Sequence, residues 1–213
     1  MVITYYGVQY LRIQQGDLVI AIDPFSKFSR EKNVRFGADV ALLSVDSEDM
    51  NGIENLASGG ESPYVISGPG EYEICGISFS GFDAKHRFGQ KDLLNTIYTF
   101  TVDGIHLCFL GALTNPEIAP ELIERMGTID VLFVPVGEGV LSPAEAEKVA
   151  VLLDAKIIIP MYDRGQEAST HLQTFLKEAG AESVAPIEKL TLKRKDIEGK
   201  EGEVVILSRS KSA

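Results

Sequence analysis

The stretch Ala38-Asp39-Val40-Ala41-Leu42-Leu43-Ser44-Val45-Asp46-Ser47-Glu48-Asp49-Met50 changes character half-way along. From Ala38 to Ser44 (ADVALLS) it is a short, mostly apolar run, the pattern of a strand buried on both faces. After Ser44 it turns polar, with acids at Asp46, Glu48 and Asp49. A buried strand therefore delivers an acid-rich loop to a sheet edge, which is where α/β proteins place their chemistry. Other segments share this construction. Ile20-Ala21-Ile22 runs into Asp23-Pro24-Phe25, with the proline holding the acid out of helix. Val134-Pro135-Val136 runs into Gly137-Glu138-Gly139, and Ile159-Pro160-Met161 into Tyr162-Asp163.

Working outward, the first half is strand-rich. Residues 2–6, 10–13, 18–22, 64–67, 74–82, 96–102 and 105–110 read as strands, and Asp103-Gly104 is the strongest hairpin signal. The second half alternates helix and strand. A helix is expected over 116–126, then a strand over 131–136. Ser142-Pro143-Ala144-Glu145 combines a capping serine, a first-turn proline and an early acid, opening a helix that runs to Leu153. A strand over 156–160, an amphipathic helix over 166–179 stopped by Gly180, and a strand over 204–207 follow. The pattern predicts mixed sheets covered by helices, in one domain spanning 1–213 with a frayed tail over 208–213. The expected core is Ile20, Ile22, Val40, Leu42, Val65, Ile97, Leu107, Leu110, Val131, Phe133, Ile157 and Ile159.

The fragments ITYYGVQYLRIQ (3–14), AIDPF (21–25), ADVALLSVDSED (38–49), GPGEYEICGI (68–77), NTIYTFTVDGIHLCFLGAL (95–113), DVLFVPVG (130–137) and KIIIPMYD (156–163) occur in that order. In order and spacing they resemble the metallo-β-lactamase superfamily, in its branch of small zinc-dependent hydrolases related to L-ascorbate-6-phosphate lactonase. The resemblance implies an α/β (α+β) fold, a four-layer αββα sandwich of two mixed sheets with helices outside. It also implies a metal loop of the form T-H-x-H-x-D-H. In this chain that register reads Ser44-Val45-Asp46-Ser47-Glu48-Asp49-Met50. Val45, Ser47 and Met50 stand at the three histidine positions, and only Asp49 matches. The bridging aspartate of the family's G-D-L motif falls on Ala112, and the last histidine, in P-M-H, on Tyr162. His86 is the residue that matches the middle histidine.

Zinc takes three or four N, S or O donors at about 2.0–2.3 Å. Valine and alanine supply none, and a methionine thioether suits Cu(I) rather than hydrolytic zinc. Asp49 with His86 cannot hold a zinc and bring its water's pKa towards 7. The expectation is thus a divergent member of the fold without cofactor, a binding or scaffold protein with a vestigial pocket of Val45, Ser47, Asp49, Met50, His86, Ala112 and Tyr162. In that pocket Asp49, as the remaining carboxylate, is expected to be buried and hydrogen-bonded. The alternative is a hydrolase of a small lactone, ester or phosphorylated substrate, with Zn or Mn at low occupancy on Asp49 and His86.

Other motifs are blander. The cluster Asp46, Glu48, Asp49 has the chemistry for Mg²⁺ or Ca²⁺, but also that of a solvated loop. Asp23 reads either as support for the old site or as a turn cap. His106 alternates with apolar residues on a strand and is expected to face solvent. Neither Gly68-Pro69-Gly70 nor Gly137-Glu138-Gly139 matches a nucleotide-binding loop. Twenty Lys+Arg against 31 Asp+Glu give a net charge of −11, which disfavours nucleic acid and anionic membrane as partners. No apolar run reaches the ~18 residues of a membrane span, and 1–11 lacks a signal-peptide pattern. Cys75 and Cys108 lie in apolar runs and read as buried free thiols of a reducing, cytoplasmic protein. Self-association into a homo-oligomer is a further expectation, and the sequence names no small-molecule ligand.

Overall fold

The computed structural model describes residues 1–32, 34–57, 59–88, 91–162 and 166–210, with side chains throughout except at 85–88, 91–92 and 166–168. The first strands in chain order are β1 (Val2–Gly7), β2 (Tyr10–Gln15), β3 (Leu18–Ile22), β4 (Val40–Leu42) and β5 (Tyr64–Ile66). Then come β6 (Gly70–Ile74), β7 (Ile77–Phe88), β8 (Lys91–Val102), β9 (Ile105–Phe109), α1 (Pro120–Met126) and β10 (Val131–Val136). The chain continues through α2 (Pro143–Leu152), β11 (Ile157–Tyr162), α3 (Gln166–Glu178), β12 (Lys189–Thr191) and β13 (Glu203–Val204). Two mixed sheets result. One has the order β12-β1-β2-β3-β4-β5 and the other β13-β11-β10-β9-β8-β7-β6. In the first, β3, β4 and β5 are parallel. In the second, β9, β10, β11 and β13 are parallel and the remainder antiparallel.

Strand alternation decides which layer each side chain joins. On β3, Ile20 and Ile22 point between the sheets while Ala21 points outward. On β10, Val131 and Phe133 enter the inter-sheet core and Leu132 and Val134 the layer under the helices. That second layer is closed by Ile123 and Met126 of α1, Val149 of α2 and Phe175 of α3. The outer face of the first sheet is covered by irregular chain instead: Phe25, Val34 and Leu56 pack on Tyr6, Tyr10 and Ala41. No helix among the described residues is long and apolar enough to cross a membrane.

Several expectations change. The first helix begins at Pro120, not at 116, because a proline five residues into a helix lacks the needed N–H and clashes with the preceding turn. The strand expected over 74–82 is a hairpin: Cys75 (φ 53°) and Gly76 (φ 73°) are both left-handed and turn β6 into β7. Cys75 is consequently exposed, whereas Cys108 is buried. Val65 is 42% exposed, because β5 is an edge strand. The tail does not fray at 208. Ser208 N–H donates to Ile187 O, Ser210 N–H to Tyr5 O, and Arg209 pairs with Glu31 and donates from Nε to Tyr6 O. Residues 211–213 lie outside the described residues.

Candidate functional site

The ends of β3, β4, β8 and β9 are tied by buried polar groups. Asp23, just past β3, is left-handed (φ 46°) and fully buried. Its N–H donates to Leu42 O at 2.9 Å. Its carboxylate accepts the Ser44 N–H at 2.7 Å and the Ser44 hydroxyl at 2.5 Å. Burial pushes the Asp23 carboxyl up to about 7, against the lowering effect of the two Ser44 bonds. Ser44 O in turn accepts the Thr96 N–H at 2.7 Å.

Asn95 is the second anchor. It is fully buried on β8, and Val45 pairs with it in an isolated bridge. Its Oδ1 accepts the Ala112 N–H and its Nδ2 donates to Leu110 O, both at 2.9 Å. Gly111 is required beside it: φ is 61°, and a Cβ there would stand 2.3 Å from Asn95 Oδ1 and 2.8 Å from Ser44 Cβ. Asn95 thus joins Val45 to Ala112, two of the positions that the resemblance marks. Sequence reading passed it over, although an amide between Leu94 and Thr96 in a buried strand is the kind of polar residue that needs partners.

The acid-rich loop is organised by backbone rather than by carboxylates. Ser47 caps a one-turn helix, Glu48–Met50, accepting the Asp49 N–H at 3.3 Å. Asp49 O accepts the Ser26 N–H at 2.9 Å, and the Ser26 hydroxyl donates to Glu48 O. The side chains of Asp46, Glu48 and Asp49 are exposed. This corrects the expectation of a buried, hydrogen-bonded Asp49: the buried carboxylate at this end is Asp23. Beside Val45 lies a concavity of about 410 Å³, lined among others by Ser44, Asp46, Asn51, Leu94 and Thr96.

Tyr162 ends β11 with other neighbours. Its hydroxyl donates to Leu207 O at 2.8 Å, its N–H to the Tyr5 hydroxyl at 2.7 Å, and its carbonyl accepts the Val8 N–H at 3.1 Å. Its ring packs on Tyr5 with centroids 5.4 Å apart. His86 sits on β7 opposite Leu93, and its side chain lies outside the described residues. His106 does not simply face solvent. It meets Thr101 Oγ1 at 3.1 Å and Met126 O at 3.0 Å.

Residues 2–162 match the family described as the β-lactamase superfamily domain. The chain belongs to the metallo-β-lactamase superfamily. A Thermotoga maritima structure assigned to the Zn-dependent hydrolases of this superfamily is similar, with a TM-score of 0.77 and 30% identity over 97% of each chain. A protein of Listeria innocua named as a UPF0173 metal-dependent hydrolase is 23% identical over 199 residues, covering 76% of this chain and 85% of its own. Igni18, described as a novel metallo hydrolase of Ignicoccus hospitalis, shares the fold: TM-score 0.67 at 16% identity, over 99% of this chain and 96% of that one.

A metal in this family would need donors at the marked positions. Val45 and Ala112 bring none, Asp49 is exposed, and the Tyr162 hydroxyl is engaged with Leu207. Among the described residues no group of three or more His, Cys, Asp or Glu could hold a metal ion. These donors do not fit a hydrolytic zinc.

Proposed function

We propose that this member of the metal-dependent hydrolase family works without a hydrolytic zinc, as a binding or scaffold protein. The observation that carries the reading is Tyr162. The resemblance puts it where the family has its last histidine, yet its hydroxyl is spent on the Leu207 carbonyl and its backbone on Tyr5 and Val8. It acts as a strut for the C-terminal segment. Burial also raises its phenol pKa, against the lowering influence of Arg209, so the anionic form that a metal would want is disfavoured. The place for a ligand is the concavity beside Val45, where hydroxyls of Ser44 and Thr96 and the Asn51 amide stand among apolar walls.

The competing reading is a hydrolase of a small lactone, ester or phosphorylated substrate with Zn or Mn on Asp49 and His86. The naming of the Listeria innocua relative favours it. Elemental analysis of dialysed protein separates the two. The expected result is zinc and manganese far below one per chain, and near-stoichiometric content of either metal overturns the metal-free reading.

A further inference from the structure

A cavity away from the site lies at the other end of β11. It holds about 300 Å³ between the C-terminal halves of α2 and α3 and the start of β13. Its floor is apolar: Ala150, Ile158, Phe175 and Val204. Its rim is not, since Glu147, Asp154, Glu178 and Glu201 surround that floor and no Lys, Arg or His lines it.

Of the cations close in the chain, Lys156 pairs with Asp130 and Lys200 with Glu203, while Lys148 and Lys177 are exposed and not part of the lining. None of the four rim carboxylates has an ion-pair partner among the described residues. Both helices also end here, α2 at Leu152 and α3 at Glu178, so their negative ends add to the field. An apolar floor inside an unneutralised negative rim is complementary to a group with an apolar body and a positive head.

The apolar surface extends past the cavity. Val151 on its lip is 66% exposed and the adjacent Leu152 48%. A small cation would leave that surface in water, whereas a protein segment would cover it. A second copy of this chain is a poor occupant, because a two-fold contact would set four carboxylates against four in a chain of net charge −11. We infer that this groove docks a basic, amphipathic segment of a partner protein, an aliphatic or aromatic side chain entering the floor and Lys or Arg meeting the rim. The interaction is independent of whether the other end of the sheet binds metal.

The test uses the full chain and a fluorescein-labelled synthetic peptide of alternating leucine and lysine, read by fluorescence anisotropy at low salt. The leucine–glutamate counterpart is the negative control, and unlabelled spermine the small-cation competitor. Binding of the basic peptide is expected to weaken about tenfold in E147Q/E178Q/E201Q. It should stay within about twofold in E61Q/E73Q/E188Q, which removes three exposed charges elsewhere. V151S should weaken it several-fold. Equal weakening in both triple variants, or no effect of V151S, would reduce the binding to net charge and overturn the proposal. Displacement by spermine at the peptide's own concentration would overturn it in favour of a small polycation. The single variants E147Q and E178Q are measured alongside, so a folding loss in the triple variant does not blunt the test.

Discussion

Asp23 and Asp130 are both almost sealed from water, and they are held in opposite ways. Asp130 precedes β10. Its carboxylate takes Lys156 Nζ at 2.7 Å, the Arg194 guanidinium, and the His106 N–H at 2.9 Å. Burial works to raise its pKa, but those three partners prevail and hold it below the usual carboxylate range. Asp23, past the end of β3, has among the described residues only the neutral donors of Ser44, and burial wins. One carboxylate braces the sheet with charge. The other sits beside the marked ligand positions, with no cation paired to it among the described residues.

The largest expected effect is at Asp23. Asp23→Ala leaves the Ser44 N–H and hydroxyl buried without acceptors, and should cost about 3–5 kcal/mol in urea unfolding near pH 4, where the carboxyl is protonated. Asp130→Ala should cost less, about 1–3 kcal/mol, because Lys156 and Arg194 are exposed enough to rehydrate. A larger loss at Asp130 would invert the comparison.

The two acids should also respond oppositely to pH. Asp23 keeps its proton to about 7 when folded but releases it near 4 when unfolded. Its contribution is therefore present at low pH and fades as pH rises from about 4 to about 7. Asp130 has a lowered folded pKa, so its contribution is present above about pH 4 and is lost on further acidification. Unfolding free energies of wild type and Asp23→Asn, compared from pH 4 to 8, should converge as the pH rises. A constant gap would mean that Asp23 is ionised throughout.

Signals that are local in the chain were legible, and those that join distant residues were not. The run Ala38–Ser44 announced a doubly buried strand, formed over Val40–Leu42, Asp103-Gly104 its hairpin, and Ser142-Pro143 with Glu145 a capped helix that the structure reproduces, bonds included. Pro120 carried its own veto on an earlier helix start. Cys75-Gly76 was missed because a cysteine at positive φ has no propensity signal. Val65 reads as core until its strand is known to be the edge. Asn95 gains meaning only beside Gly111, and Arg209 only beside Glu31, 178 residues away. The marked ligand positions came from resemblance, and the contacts at each of them had to come from the structure.

Tyr162→Phe sharpens the comparison at a smaller scale. It removes one hydrogen bond to Leu207 O while keeping the ring against Tyr5, so about 0.5–1.5 kcal/mol should be lost. Exchange of the Ser208 and Ser210 amides should speed up in the same variant, as seen by hydrogen exchange. Unchanged protection would mean that Arg209 alone holds the tail.

The smallest effect is expected at Asp49, and its smallness is informative. Its carboxylate is exposed, and the loop depends on its backbone, through Ser26 and Ser47, which alanine retains. Asp49→Ala should therefore shift stability by less than about 0.5 kcal/mol. The decisive form of the measurement is a pair of thermal melts, wild type and variant, with and without added Zn²⁺ and Mn²⁺. A ligand that binds only the folded chain raises the melting temperature in proportion to the logarithm of its concentration over its Kd. By the resemblance, Asp49 is the one residue of the family's metal loop that this chain retains, so a surviving metal site of the family's kind is expected to use it. No metal-dependent rise in either protein is the expected result. A rise in wild type that disappears in Asp49→Ala would show that an exposed aspartate, with partners the sequence does not mark, still holds a metal, and the contrast between a charged brace and a cation-free end would fall with it.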